Sequence, residues 1–189
     1  MHAVAFPHAV NPCVVATGGK EKKLRIWDFG SGTTGTNGVA TANGAAQPEP
    51  TGTPQDYELA AGEHGGPIKS IVWNMDPNVI TSACEDRKIR WFDLRQNIPF
   101  VTKELPSQPS SMELTTHNSS NVLSVTAGKK VYLFNGAVPG MLTKEIEVDH
   151  EAVSAAVDTK SNTLLTGAAG DTWVHVWDIA QGRETGEAS

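Results

Sequence analysis

The sequence is poor in the features that mark secreted, membrane and nucleic-acid-binding proteins. Its 189 residues include only two cysteines, Cys13 and Cys84, and 15 Lys and Arg stand against 21 Asp and Glu, for a net charge of −6. Two distant cysteines without a CxxC partner predict reduced core thiols. No apolar run approaches the roughly 18 residues of a membrane span, and no secretory signal is recognisable, so we expect no direct membrane contact. Because acidic residues outnumber basic ones, we expect any contact with RNA to be indirect or weak.

Motifs for catalysis and metal binding are also missing. The six histidines form no HxxxH or Cys/His cluster, and no serine stands in a GxSxG motif. We therefore expect no metal, no cofactor and no enzymatic activity. The basic run from Lys20 to Arg25 could contact a phosphate, but a solvated turn is the favoured interpretation because the whole chain is acidic.

Residues 30 to 55 contain almost no large apolar side chain and are dominated by Gly, Thr, Ala, Asn and Pro. Such a segment cannot bury enough apolar surface to offset the entropy lost on ordering. The composition therefore predicts a disordered loop insertion.

What the sequence does contain is a repeat. Four short apolar stretches end on an aromatic residue followed by Asp or Asn, and those final residues are Asp28, Asp93, Asn135 and Asp178. They are separated by 65, 42 and 43 residues. A four-stranded propeller blade repeats about every 40–45 residues, and the first spacing comes close to this once the insertion is discounted.

The stretches between these endings alternate apolar and polar residues and are bounded by glycine-rich turns, with no helical period. The sequence thus predicts an all-β fold of four units, each with up to four strands. In the last unit we expect the fourth strand only to begin. The units cover about residues 1–61, 64–105, 110–148 and 150–189.

Polar residues recur within the units in a pattern that can form one buried hydrogen-bond chain. The pattern is a His before the first strand, a Ser or Thr on the second, an Asp in the following turn and a Trp on the third, and each donor then has an acceptor. The candidates are Thr17 and Trp27 in the first unit, His64, Ser82 and Asp86 in the second, and His150, Thr166, Asp171 and Trp177 in the fourth.

Three details of this pattern lead to further expectations. Phe92 stands where Trp is expected, so the chain of the second unit should end at Ser82. The third unit has neither the His nor the Asp, so we expect no chain there. Thr166 lies one residue farther from its Asp than Ser82 does, which predicts a bulge or offset in that strand. Trp173, beside the Asp171 turn, is the candidate for an exposed partner anchor.

The four units resemble WD40 repeats. More narrowly, the stretches ATGGKEKKLRIWD, GGPIKSIVW, ITSACEDRKIRWFD, QPSSMEL and VLSVTAGKKVYLF resemble the middle blades of the serine/threonine kinase receptor-associated protein family. The resemblance implies a partial WD40 β-propeller, about four blades of a seven-bladed ring. An arc of this kind would expose an apolar blade face at each end.

The resemblance also implies a function. It suggests a non-enzymatic scaffold of the survival-of-motor-neuron complex, with Gemin-type partners, that acts in spliceosomal small nuclear ribonucleoprotein assembly and mRNA splicing in the cytoplasm and nucleus. In animals it suggests a further role in transforming-growth-factor-β receptor signalling. Two alternatives remain: a scaffold like translation initiation factor 3 subunit i, and a propeller hydrolase that uses Asp and His on the central channel.

Overall fold

A computed structural model of the chain describes residues 3–7, 14–29, 55–117 and 120–188. These residues form four antiparallel sheets of four strands, and in each sheet the strands neighbour one another in chain order. Sheet 1 contains β1 (Ala3–Ala5), β2 (Val14–Gly18), β3 (Leu24–Asp28) and β4 (Gln55–Leu59). Sheet 2 contains β5 (Ile68–Trp73), β6 (Val79–Cys84), β7 (Lys88–Asp93) and β8 (Ile98–Glu104).

The second half of the chain repeats this arrangement. Sheet 3 contains β9 (Pro109–His117), β10 (Ser120–Ala127), β11 (Lys130–Asn135) and β12 (Leu142–Glu147). Sheet 4 contains β13 (Ala152–Asp158), β14 (Thr163–Ala168), β15 (Val174–Asp178) and β16 (Arg183–Ala188). The prediction of an all-β fold built from four-stranded units is confirmed. The described residues include no helix, and hence none that is long and apolar enough to cross a membrane.

Two predicted boundaries are wrong. The fourth strand of sheet 4 is complete, because β16 pairs with β15 from Arg183 opposite Asp178 to Ala188 opposite Val174. Gln55, predicted to end the insertion, instead begins β4 and lies opposite Asp28. The predictions made for residues 30–54 and for Cys13 fall outside the described residues.

The apolar core lies between the sheets. Three clusters of buried side chains join sheet 1 to sheet 2, sheet 2 to sheet 3 and sheet 3 to sheet 4. Sheet 2 is covered on both faces, so every residue of β6 is buried. Sheet 4 is covered on one face, and β13 accordingly alternates between buried and exposed residues. The pattern of buried and exposed residues along a strand therefore indicates whether its sheet is covered on one face or on both.

Sheets 2, 3 and 4 share irregularities at the same places. The ladder between the third and fourth strands shifts directly before the repeat aromatic, at Trp91/Phe92, Leu133/Phe134 and Val176/Trp177. A second shift lies between the first and second strands of each of these sheets. Because a bulge bends a strand and increases its twist, the repeated shifts give the three sheets a common shape.

Candidate protein-interaction site

A buried hydrogen-bond chain crosses sheet 4. The indole N–H of Trp177 donates to Thr166 Oγ1 over 2.9 Å, and His150 Nε2 lies 3.0 Å from the same oxygen. Thr166 is only 1% exposed and Trp177 only 5% exposed. Since an unpaired polar group would be costly in such a place, the shared hydroxyl holds the loop before β13 against β14 and β15.

Asp171 does not join this chain, contrary to the prediction. His150 Nδ1 lies 3.0 Å from Asp149 Oδ1, while Asp171 Oδ1 accepts the backbone N–H of Trp173 over 3.1 Å. The hydrogen bond from the Trp173 N–H lowers the pKa of Asp171. The other carboxylate oxygen of Asp171, Oδ2, lies 3.5 Å from His175 Nε2. Asp171 is therefore part of the turn and of its contact with β15.

The turn of sheet 4 is one residue longer than that of sheet 2, since Thr166 lies opposite His175, nine residues on, and Ser82 lies opposite Arg90, eight residues on. The ladder of β14 and β15 runs without interruption from Thr163 to Gly167, and the shift in the ladder of β13 and β14 lies in β13. The bulge or offset predicted for β14 is therefore wrong, and the additional residue lies in the turn. Gly170 has a φ of 78°, a left-handed conformation that suits a glycine in a turn. In sheet 2, by contrast, a Cβ on Gly65 would lie 3.3 Å from Asp86. Sheet 4 has Glu151 in the place of Gly65, directly after the histidine.

Sheet 2 contains the corresponding chain in a shorter form. His64 Nε2 lies 2.8 Å from Ser82 Oγ, and the His64 ring packs at 5.5 Å, centroid to centroid, from Phe92. Burial, followed by the positive charge of Arg90, lowers the pKa of His64 to about 4. The ring is therefore neutral at pH 7.

Asp86 does not join this chain either, contrary to the prediction: it contacts the backbone beside the histidine and the guanidinium of Arg90. It accepts the N–H of Gly65 over 3.0 Å and a two-fold contact from Arg90 at 2.7 and 3.1 Å. Burial alone would raise the pKa of Asp86, but hydrogen bonds from Arg90, Gly65 and Cys84 outweigh it and lower the pKa to about 2. The Arg90 side chain is 5% exposed, so Asp86 neutralises a buried cation.

In sheet 1 the Trp27 indole N–H donates to Thr17 Oγ1 over 2.8 Å.

Sheet 3 contains a polar cluster that was not predicted. Ser110 Oγ lies 2.8 Å from Thr126 Oγ1 and donates to the carbonyl of Ala152, in the next sheet, over 2.7 Å. These contacts are not the chain of sheets 2 and 4, because Val125, and not Thr126, stands at the register position of Ser82 and Thr166.

Two imidazoles stack where sheet 4 meets the turn of Asp171. The rings of His150 and His175 lie 4.1 Å apart, and His175 Nδ1 is 2.8 Å from Glu184 Oε1. His175 is 7% exposed. Within the described ranges, no group of three or more His, Cys, Asp and Glu side chains is arranged to hold a metal ion.

Trp173 projects from this supported turn. Its side chain is 43% exposed, whereas Trp91, Trp73 and Trp177 are at most 5% exposed. The carboxylate of Asp171 fixes the backbone N–H of Trp173, and the following residue, Val174, is 40% exposed. A large aromatic side chain on a fixed turn is the kind of residue that supplies binding energy at protein interfaces.

The basic run of sheet 1 is largely engaged within the protein. Lys22 Nζ donates to the carbonyl of Gly65 over 3.1 Å, and Lys23 pairs with Glu58 at 3.0 Å. Arg25 pairs with Asp56. These contacts favour the solvated, internally paired turn over a phosphate-binding surface.

Comparison with known proteins agrees with this architecture. Residues 58–93 match the family described as "WD domain, G-beta repeat". The chain is 24% identical over 177 residues to the periodic tryptophan protein 2 homolog of Dictyostelium discoideum, in an alignment that covers 92% of this chain and 17% of that protein. A WD40 repeat is therefore present, and the four sheets are consistent with blades of a WD40 β-propeller.

Proposed function

We propose that the chain is a non-enzymatic adaptor that binds other proteins, and that Trp173 is one of its anchors. The WD40 repeat indicates a protein-interaction scaffold, and in such a scaffold rigid sheets present the connecting turns to partners. The observation that carries the proposal is the 43% exposed indole of Trp173 on a turn that is hydrogen-bonded in place.

The surroundings of Trp173 support this role because they restrict its motion before binding. Asp171 holds the backbone of the turn, and His175 contacts both Asp171 and Glu184. A turn whose backbone is already fixed loses less conformational entropy when a partner covers it. Trp173 can therefore contribute more binding energy than a tryptophan on an unsupported loop.

We infer a more specific role from the resemblance of several stretches to the serine/threonine kinase receptor-associated protein family. On this hypothesis the chain acts in the cytoplasm and nucleus within a survival-of-motor-neuron complex that assembles spliceosomal small nuclear ribonucleoproteins. Its partners would then be Gemin-type and Sm proteins. A scaffold like translation initiation factor 3 subunit i would be surrounded by other initiation factor subunits.

The test is affinity purification of the tagged full chain from cells, followed by mass spectrometry of the bound proteins. We expect Gemin-type and Sm proteins to be enriched with the wild-type chain and lost with Trp173→Ala. The matched control is Phe100→Ala, since Phe100 is 44% exposed on a strand of sheet 2. Enrichment of initiation factor subunits would overturn the specific role. Equal recovery by both variants and the wild type would overturn the assignment of Trp173.

A further inference from the structure

In sheets 2 and 4, a side chain of the third strand contacts a carboxylate of the turn that leads into that strand. The guanidinium of Arg90 lies 2.7 Å from Asp86, and His175 Nε2 lies 3.5 Å from Asp171. Arg90 and His175 occupy the same register position, three residues before the last residue of β7 and of β15. In these two sheets the chain itself supplies an acid at this place.

Sheet 3 has no acid in the corresponding turn. Tyr132 occupies the register position of Arg90 and His175, three residues before the last residue of β11. The turn between β10 and β11 has only two residues, Gly128 and Lys129, whereas the turn between β6 and β7 has three. Tyr132 therefore has no turn carboxylate to contact.

A cavity of about 310 Å³ lies at this place, and we call it the sheet 3 cavity. Its lining includes Ser107, Gly128, Lys129, Lys130, Tyr132 and Glu151. The volume is at the lower end of the range of about 300–1,000 Å³ for ligand pockets. The cavity therefore suits one side chain of a partner rather than a large ligand.

Tyr132 supplies a hydroxyl that can donate a hydrogen bond. Only 5% of the residue is exposed, and its hydroxyl has no hydrogen-bond partner in the part of the chain that the structure describes. Burial raises the pKa of Tyr132, and the negative charge of Glu145 raises it further, so the hydroxyl keeps its proton at neutral pH. Because an unpaired polar group is costly in such a place, the hydroxyl favours a ligand that accepts a hydrogen bond.

The lysines of the lining supply positive charge. Lys130 pairs with Glu145, which balances its charge. Lys129 Nζ donates to the carbonyl of Asp149 over 2.9 Å, and this neutral partner leaves the charge of Lys129 uncompensated. An ammonium group has three N–H donors, so Lys129 can bind a second oxygen at the same time. Glu151, the acidic residue of the lining, is exposed to water, which screens its charge.

We propose that the sheet 3 cavity binds the carboxylate of an aspartate or glutamate side chain from a partner protein. The Tyr132 hydroxyl and the Lys129 ammonium group donate to it, where Asp86 and Asp171 supply the carboxylate in sheets 2 and 4. Hydrogen bonds to an ionised acceptor are stronger than those to a neutral one, so a carboxylate is favoured over an amide. The proposal rests on the adaptor role only for the source of the carboxylate.

The experiment is a titration of the full chain with a capped glycine–aspartate–glycine peptide, followed by two-dimensional amide NMR spectra. The same peptide with asparagine in place of aspartate is the neutral probe. We expect the amide signals of Gly128 and Lys129 to shift with the aspartate peptide and not with the asparagine peptide. The dissociation constant of the aspartate peptide should rise about threefold to tenfold in Tyr132→Phe and in Lys129→Gln, because each variant loses one donor.

Each variant has a matched control outside the cavity. Tyr57→Phe removes the hydroxyl of a tyrosine that is 45% exposed on β4. Lys160→Gln removes the charge of an exposed lysine in the turn between β13 and β14. Both controls should bind the aspartate peptide as the wild type does. Circular dichroism establishes that every variant is folded, and if Tyr132→Phe is not, the result for Lys129→Gln decides.

Three results would overturn the proposal. The asparagine peptide shifts the same signals as strongly, which identifies a site that does not require a carboxylate. Inorganic phosphate binds at least as tightly as the aspartate peptide, which identifies a general anion site. Alternatively, the folded variants of Tyr132 and Lys129 bind the peptide as tightly as their controls.

The purification that tests the adaptor role gives a separate answer. If the peptide binds and no partner protein is recovered, the carboxylate site stands and a partner protein as its source is overturned. If partner proteins are recovered and the peptide does not bind, the adaptor role stands and the carboxylate site is overturned.

Discussion

Removal of the Thr166 hydroxyl should strongly lower the free energy of unfolding. It lies within hydrogen-bond distance of both Trp177 and His150 and is 1% exposed. Thr166→Val keeps the shape of the side chain but leaves two buried polar groups without a partner. At about 1–3 kcal/mol for each unsatisfied group, we expect a loss of about 3 kcal/mol in the free energy of unfolding. For a chain of this length the melting temperature should fall by about 6–12 °C.

A double-mutant cycle with Trp177→Phe tests the reasoning directly. Phenylalanine removes the N–H donor, as Phe92 does in sheet 2, so Thr166→Val then leaves only His150 unpaired. The Thr166→Val substitution should therefore cost about 1.5 kcal/mol less in the Trp177→Phe background than in the wild type. Urea unfolding followed by circular dichroism provides the four free energies.

The control for this cycle is Thr185→Val. The Thr185 hydroxyl donates to the carbonyl of Val176, but Thr185 is exposed, so water can replace the lost contact. We expect a change within about 0.5 kcal/mol. If the effects of Thr166→Val and Trp177→Phe were additive within about 0.5 kcal/mol, the two residues would not share the hydroxyl, and our account of the chain would be refuted.

Two further predictions concern sheet 2. Burial and then the charge of Arg90 hold the pKa of His64 at about 4, below its unfolded value of about 6.5. The stabilisation that the neutral His64 ring gives, about 3 kcal/mol, is therefore complete above pH 6.5 and is lost as the pH falls toward 4. In urea unfolding at pH 7 and pH 4, the free energy of unfolding should fall less for His64→Asn than for the wild type. An equal fall in both proteins would contradict the prediction. Asp86→Ala leaves the Arg90 charge buried and should cost about 3–5 kcal/mol in the same assay, against less than about 1 kcal/mol for Glu104→Gln in the exposed Arg87–Glu104 pair. Similar losses for the two variants would refute the role of Asp86.

Strand positions could be predicted from the sequence because they follow from local alternation and from the recurring aromatic–Asp ending. The predicted endings Asp28, Asp93, Asn135 and Asp178 are the last residues of β3, β7, β11 and β15. Partners across a turn could not be predicted in the same way. The sequence shows that Asp171 occupies the position of Asp86, but the length of the turn and the residue after the histidine decide which group the carboxylate meets.

The polar cluster of sheet 3 was missed for a related reason. Serine is common in the sequence, and nothing in the spacing of Ser110 distinguishes it from serines at the surface. Its role depends on a carbonyl from a different sheet, that of Ala152. A contact between sheets requires the relative position of two units, whereas the repeat describes only one unit at a time.

Each sheet is built from one uninterrupted stretch of chain, and this has a consequence for how the protein folds. No strand has to wait for a partner from a distant part of the sequence, so a ladder can close as soon as its fourth strand has left the ribosome. The next stretch then condenses on an apolar surface that already exists. We expect folding to proceed from the N-terminus during translation, with short-lived intermediates that contain whole numbers of sheets.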